Sequence, residues 1–261
     1  MAPEQNNITN IYILAIESSC DDTSCAVIKN ELLLSNITAN QSIHQQYGGV
    51  IPELASRDPQ KNIVHVVDAA LKKAGITLAE LSAIAVTRGP GLSGSLLVGL
   101  SFAKSLSLAL HIPLVEVNHM QGHILAHFVQ EGASQQNVAD SLQTLNIQLP
   151  NKNWQLKTVP SFPFLCLTVS GGHTQIVKIT NHLNFELLAE TEDDAVGEAF
   201  DKAAKILGLP YPGGNLIDKY AKLKKKKKYK FPMPHLKNNN YSFSGVKTAF
   251  LYFIQEQTKL N

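Results

Sequence analysis

Residues 11–36 read IYILAIESSCDDTSCAVIKNELLLSN, and their pattern decides the fold. Ile11 to Ile16 is an apolar run of strand length that empties into an acidic, hydroxyl-rich bend, Glu17-Ser18-Ser19-Cys20-Asp21-Asp22-Thr23. Ser24 to Lys29 and Leu32 to Asn36 read as the second and third strands, joined at Asn30 in a tight turn. The same pattern returns late in the chain. Phe164 to Val169 is a strand, Ser170-Gly171-Gly172 a turn, and His173 to Ile179 and Phe185 to Ala189 are two more strands. Two such openings, each followed by helical patterns, predict a two-lobed α/β protein. Its first turns, Cys20 to Thr23 and Ser170 to Gly172, are expected to face each other across a cleft and hold phosphates.

Working outward, Pro52 suits the first turn of a helix. The apolar stripe Ile63, Val66, Val67, Ala70, Leu71 and Ala74 has the period of a helix that Gly75 ends. Leu81 to Thr87 is the next strand, and Gly89-Pro90-Gly91-Leu92-Ser93-Gly94-Ser95 leads from it into a small-residue helix, Leu96 to Leu110. A glycine-rich turn there can offer free N–H groups to a phosphate or can simply let backbones pack closely; both readings stand. Pro113 to Val117 is a further strand. Residues 130–160 are polar, aperiodic and bounded by prolines, the pattern of a loop or linker. The chain thus divides into a first lobe, 1–129, a linker, 130–160, and a second lobe, 161–261, with a helical insertion. In that lobe Ala195 to Leu207 is a helix with Ala199, Phe200, Ala203, Ala204 and Leu207 turned inward, and a further helix spans Val246 to Gln257.

The chemistry concentrates at Asn118-His119-Met120-Gln121-Gly122-His123. Two imidazoles four apart leave one face of a helix, about 5–6 Å between Cβ atoms, a spacing that suits shared ligation of one transition metal. The zinc-protease signature H-E-x-x-H needs a Glu after the first His as general base, and Met120 stands there instead. Metal binding survives that change; peptide hydrolysis by that route does not. Asp201, between the two faces of its helix, is placed to accept ribose hydroxyls or to sit in solvent.

Composition narrows the classes. At 261 residues, 44% hydrophobic and 17% charged, the chain is an ordinary globular protein with ample core. The net charge of +2 hides a local excess of lysine between Lys219 and Lys237, which includes the run Lys224 to Lys228. Three cysteines without a C-x-x-C pair argue against a disulfide framework and for a reducing, cytoplasmic setting. The N-terminus, Met1 to Asn10, has no basic leader, and Ile11 to Ile16 is too short for a signal or membrane segment.

Taken in order, Ile16 to Thr23, Tyr47 to Arg57, Gly89-Pro90-Gly91-Leu92, His119 to His123, Val169 to Thr174, Gly197 to Lys202, Tyr211-Pro212-Gly213-Gly214 and Ser242 to Thr248 resemble the motifs of the tRNA threonylcarbamoyladenosine transferases, once called sialoglycoprotein endopeptidases. The resemblance implies the actin/Hsp70/sugar-kinase fold and an acyl transfer. The threonylcarbamoyl group of threonylcarbamoyl-adenylate passes to the exocyclic amine of the adenosine beside the anticodon in tRNAs reading codons that begin with A, and AMP leaves. It implies one divalent metal, iron(II) or zinc, on His119 and His123. It places Thr168, Val169, Ser170, Gly171 and Gly172 along the adenylate phosphate and carbamoyl region, Asp201 and Asp218 at the ribose, and Gly214 at the nucleoside. Asp21 is the candidate for orienting or deprotonating the attacking amine. Partners implied are tRNA, a paralogous scaffold subunit and a P-loop ATPase, with no membrane. Asn118 and Gln121 depart from the family's usual His and Glu, Asn215 from its usual Pro, and the family's C-terminal segment is not matched, so the second lobe is expected to be incomplete. A scaffold paralogue without activity and an ATP-dependent kinase of the same fold are the competing functions.

Overall fold

A computed structural model of the chain describes residues 10–39, 57–131, 160–223, 229–232, 236 and 239–259. Pro52, residues 132–159 of the expected linker and Lys224 to Lys228 lie outside them. The chain divides into two compact units, one holding described residues 10–39 and 57–131, the other those from 161 on.

In the first unit the opening stretch forms β1 (Tyr12–Glu17), β2 (Thr23–Lys29) and β3 (Leu32–Ala39), an antiparallel meander with Leu14 opposite Val27 and Ile16 opposite Cys25. Asn30 turns the chain in the left-handed region, φ 55°, and its side-chain oxygen accepts the Ile11 amide at 3.0 Å. Next come α1 (Arg57–Ala74), β4 (Ala83–Gly89), α2 (Ser93–Leu110) and β5 (Leu114–Asn118). β4 runs parallel to β1 and β5 parallel to β4, as a helical crossover before each strand allows. The sheet order is β5-β4-β1-β2-β3-β6. Its last member corrects the expected start of the linker. Gln130–Glu131 is a two-residue strand, β6, parallel to Leu32 and Leu33 at the outer edge of β3.

Burial follows the alternation. Leu14, Ile16, Val27, Ile84 and Val86 leave one face of the sheet and meet Ile63, Val66, Val67 and Ala70 of α1 and Ala103 of α2. The predicted stripe of α1 is therefore the face it buries, and Gly75 closes the helix at φ 71°. By length and composition α2 is apolar enough to cross a membrane, yet its small residues Ser95, Gly99 and Ala103 are buried against this unit. A Cβ on Gly99 would collide with the Ser18 hydroxyl, which donates to the Ser95 carbonyl at 2.9 Å. Meander, crossover helices and parallel strands together make this the α/β arrangement of the actin/Hsp70/sugar-kinase fold.

The second unit opens on the same meander, β7 (Phe164–Val169), β8 (Thr174–Asn181) and β9 (Asn184–Glu190), in the order β7-β8-β9. Val177, Ile179 and Ala189 are buried, but Leu165 and Leu167 are 65% and 62% exposed. Helices α4 (Val196–Ile206) and α6 (Ser244–Lys259) pack on each other, and α4 also packs on α5 (Gly214–Ala221). Asp193 ties α6 down, its Oδ1 accepting the Phe243 and Ser244 amides at 2.7 and 3.2 Å and its Oδ2 the Ser242 and Ser244 hydroxyls at 2.5 and 2.6 Å. An apolar cavity of about 560 Å³, lined by Ala199, Phe200, Ala203, Phe243, Val246 and Phe250 among others, remains between these helices. This corrects the inward assignment of two residues. Phe200 and Leu207 stay 46% and 47% exposed, because the face they share opens on that cavity instead of a filled core.

Candidate functional site

The histidine pair is positioned where a strand becomes a helix without an intervening loop. β5 ends at Asn118, and α3 spans His119–Leu125. Asn118 is the cap: its side-chain oxygen accepts the Met120 and Gln121 amides at 2.9 and 3.2 Å, which satisfies two of the donors that a helix start leaves free. Met120 and Ile124 are buried and hold the helix down, and His119 and His123, each one residue earlier, leave the adjacent flank.

Their rings stand 4.5 Å apart between centroids and nearly perpendicular, at 86°. The two Nε2 atoms are 3.1 Å apart. At the far side of His119, Nδ1 lies 3.2 Å from Glu17 Oε2 and 3.1 Å from Ser19 Oγ. Glu17 ends β1, and its Oε1 accepts the Ser19 amide at 2.5 Å while Thr87 of β4 donates its hydroxyl to Oε2. Burial by itself would raise the Glu17 pKa, but the hydrogen bonds from His119, Ser19 and Thr87 outweigh it and hold the carboxyl at about 2. An ionised carboxylate only accepts, so Glu17 Oε2 is matched to a proton on His119 Nδ1, the arrangement that leaves a lone pair at Nε2. Burial first, and then the neighbouring His119, depress the His123 pKa against an opposing pull from Glu17, which favours the neutral ring.

These features fit a metal. Two nitrogens each about 2.0–2.1 Å from a common ion are separated by roughly the 3.1 Å seen here. The carboxylate behind His119 is the outer partner that metal-bound imidazoles regularly have. The pair would supply two ligands; among the described residues no group of three or more His, Cys, Asp or Glu is arranged so that all could hold one ion. A cavity of about 390 Å³ opens beside it, lined by Ala15, Glu17, Ala26, Asn36, Thr87, His119 and His123 among others.

Asp21 sits on the bend, two residues beyond Ser19 and partly buried. Its neighbour Cys20 has its thiol pushed up to about 11, by burial first and then by the Asp21 charge, so without a bound ion it stays protonated at neutral pH. The glycine-rich turn after β4 packs closely on the bend that follows β1. The Leu92 amide is spent on the Ser19 carbonyl at 2.7 Å, and a Cβ on Gly91 would run into that same carbonyl.

In the second unit, Thr168 and Val169 end β7 and lead into the Ser170 turn. There Ser170 Oγ accepts the His173 amide at 2.9 Å and the Gly172 amide at 3.3 Å. The turn rests on the start of α4. Gly197 donates its amide to the Ser170 carbonyl at 3.2 Å, and a Cβ there would lie 2.5 Å from that oxygen. An anion beside Gly171 and Gly172, both exposed, would feel the positive end of a helix. Asp201 takes a task that neither sequence-based alternative included: its Oδ1 accepts the Gly213 and Gly214 amides at 2.8 and 2.9 Å, pinning the start of α5 to α4. Asp218, one turn into α5, pairs with Lys222 at 2.6 Å in solvent. The structure thus joins His119 to His123 and Asp201 to Gly214, and gives Asp218 a surface partner.

Sequence reading took Glu17 only as part of the acidic bend that could orient a metal, water or a phosphate, and overlooked Thr87. The signal was present: an acid closing the apolar run of β1, on the face opposite Leu14 and Ile16, has to find donors.

The family model described as tRNA N6-adenosine threonylcarbamoyltransferase matches residues 32–139 and 142–259. The chain belongs to that family. Relatives bearing the name tRNA N6-adenosine threonylcarbamoyltransferase include one from Christiangramia forsetii, 59% identical over 249 residues, and one from Phocaeicola vulgatus, 52% identical over 247. Each comparison covers 95% of this chain, but only 66% and 67% of the relative. This threonylcarbamoyltransferase family member therefore spans about two thirds of the length of the curated relatives it matches. Among solved structures, YeaZ from Pseudomonas aeruginosa is similar at 17% identity and TM-score 0.38, covering 67% of this chain and 65% of that one. Component A of the Acidaminococcus fermentans (R)-2-hydroxyglutaryl-CoA dehydratase is similar at 12% identity and TM-score 0.45, covering 95% and 69%.

Proposed function

We propose that the chain takes part in threonylcarbamoylation of tRNA in the cytoplasm, transferring the threonylcarbamoyl group of threonylcarbamoyl-adenylate to N6 of the adenosine next to the anticodon. The adenosine amine forms the new bond to the carbamoyl carbon, the bond from that carbon to the adenylate oxygen breaks, and AMP departs with the electron pair. A proton leaves the amine, and Asp21 is the residue assigned to orient that amine or receive the proton. The observation that carries the reading is the convergence of the His119 and His123 Nε2 atoms at 3.1 Å in a chain of this family.

His119 and His123 would hold iron(II) or zinc, which would supply Lewis acidity where charge develops on the carbamoyl and phosphate oxygens. Ser170, Gly171 and Gly172, at the positive end of α4 and with Thr168 and Val169 leading in, hold the adenylate phosphate. Asp201 keeps Gly214 in place for the nucleoside and, with Asp218, faces the ribose. A paralogous scaffold subunit and a P-loop ATPase are the protein partners.

Metal analysis of the purified chain against His119→Ala and His123→Ala is the test. One equivalent of iron or zinc in the wild type and a loss in both variants supports the reading, as does AMP release from threonylcarbamoyl-adenylate that depends on tRNA and on His119. Wild-type chain that takes up no metal turns the assignment to a scaffold paralogue. Steady ATP turnover with a sugar, indifferent to His119→Ala, turns it to a kinase.

A further inference from the structure

The proposed function assigns His119 and His123 but leaves open what points the His119 ring. We propose that Glu17 is a positioning residue, whose carboxylate fixes His119 in the tautomer protonated at Nδ1 and so aims the Nε2 lone pair at the point that His123 also faces. The argument is geometric. Three donors converge on Glu17 from different parts of the first unit: the Ser19 amide on Oε1, and the Thr87 hydroxyl and His119 Nδ1 on Oε2. An amide N–H cannot reverse its role, so the orientation of the carboxylate is set by backbone at one oxygen and by a neighbouring strand at the other. Ser19 Oγ, 3.1 Å from Nδ1, does not choose a tautomer by itself, because a hydroxyl either donates or accepts. A carboxylate oxygen accepts, and it selects Nδ1–H.

The selection matters because of what lies on the other side of the ring. With Nε2 of His123 only 3.1 Å from Nε2 of His119, the opposite tautomer would place a proton between the two nitrogens and deny the site one of its lone pairs. Glu17 also comes from β1 and Thr87 from β4, whereas His119 follows β5, so three adjacent strands of the sheet fix one ring. Outer partners of this kind contribute about 10–100-fold to metal affinity.

The inference rests on the metal reading only for its consequence, and two measurements keep the two apart. In the metal-free whole chain with ¹⁵N-labelled histidine, long-range ¹H–¹⁵N correlation spectra at pH 8 distinguish the tautomers, with the His119 signals assigned from their loss in His119→Ala. The expected result is Nδ1–H at His119 in the wild type, a shift towards Nε2–H in Glu17→Ala, and partial retention in Glu17→Gln, which keeps an accepting oxygen. Zinc affinity, measured by competition with a chromophoric chelator, is expected to fall about 10–100-fold in Glu17→Ala and less in Glu17→Gln. If Glu17→Ala does not fold, Glu17→Gln and Thr87→Val carry the same comparison, with the larger change in the glutamine variant. An unchanged His119 tautomer in the folded Glu17 variants overturns the proposal. A wild type that keeps Nδ1–H through Glu17 but takes no zinc leaves the proposal standing and removes the metal reading alone.

Discussion

β1 and β7 open their units with nearly the same kind of sequence, YILAIE and FLCLTV, and meet different fates. β1 is flanked by β2 on one side and by parallel β4 on the other, and Leu14 and Ile16 are sealed at 0% and 2% exposure. β7 is paired with β8; among the described residues no strand lies at its other edge, and Leu165, Leu167 and Val169 remain more than half exposed. Near-continuous apolar runs belong to strands covered on both faces. The comparison teaches that β7 carries the composition of a central strand in the position of an edge, an arrangement that folded proteins usually avoid. The curated relatives are matched over only about two thirds of their length.

The strongest way to break this contrast is to truncate matched residues. Ile84→Ala, at a fully buried position of the first unit, is expected to cost about 2–5 kcal/mol, and Leu167→Ala in the second to stay within about 0.5 kcal/mol. Urea unfolding of the two variants decides it, and equal costs would erase the difference between the units. Glycine substitutions sharpen the picture at a smaller scale. Gly91→Ala and Gly197→Ala push a methyl onto backbone of the Ser19 and Ser170 bends and are expected to cost about 1–3 kcal/mol, whereas Gly171→Ala enters open space and should leave the melting temperature almost unmoved.

Acid titration probes each unit through one carboxylate. Glu17 in the first and Asp193 in the second are both held at about 2, below ordinary values of 4.5 and 3.8. For Asp193, burial opposes the shift while hydrogen bonds from Ser242, Ser244 and Phe243 outweigh it. A depressed folded-state pKa adds stability that is fully present above the ordinary value and is lost as pH falls towards 2. Glu17→Gln and Asp193→Asn should therefore flatten the loss of stability between about pH 4.5 and pH 2, each in its own unit. Thermal melts across that window, with probes placed separately in the two units, would expose a failure. The smallest effects belong to surface ion pairs. Removing Lys178 from Glu186, or Arg88 from Glu116, should change stability by about 0.5 kcal/mol or less in either unit, because both pairs are well exposed.

Much of the first unit was legible because its signals are local. An apolar run of strand length gave β1 and the segments after its bend gave β2 and β3, a 3.6-residue stripe gave the buried face of α1, and Asn30 and Gly75 stand at the left-handed backbone positions that their residue types suggest. β6 was not legible, since Gln130 and Glu131 have no strand-like pattern and are ordered by the free edge of β3. The histidine spacing announced the site. Its support did not announce itself, because Glu17 and Thr87 are 70 residues apart in the chain and become neighbours only through the parallel pairing of β1 with β4. The structural task of Asp201 was not legible for a related reason. Its partners, the Gly213 and Gly214 amides, are supplied by a chain reversal after α4, and nothing in the residue itself says whether it serves a ligand or a helix start.

The direct handover from β5 to α3 gives the first unit a peculiar sensitivity to chain length. With no spacer between Asn118 and His119, the phase of the helix is inherited from the register of the strand. A single residue inserted or deleted within β5 (Leu114–Asn118) would swing both imidazoles away from Glu17 even though every side chain named above were still present. Comparisons of gene variants should therefore treat an indel in that short interval as equivalent to losing the histidines themselves.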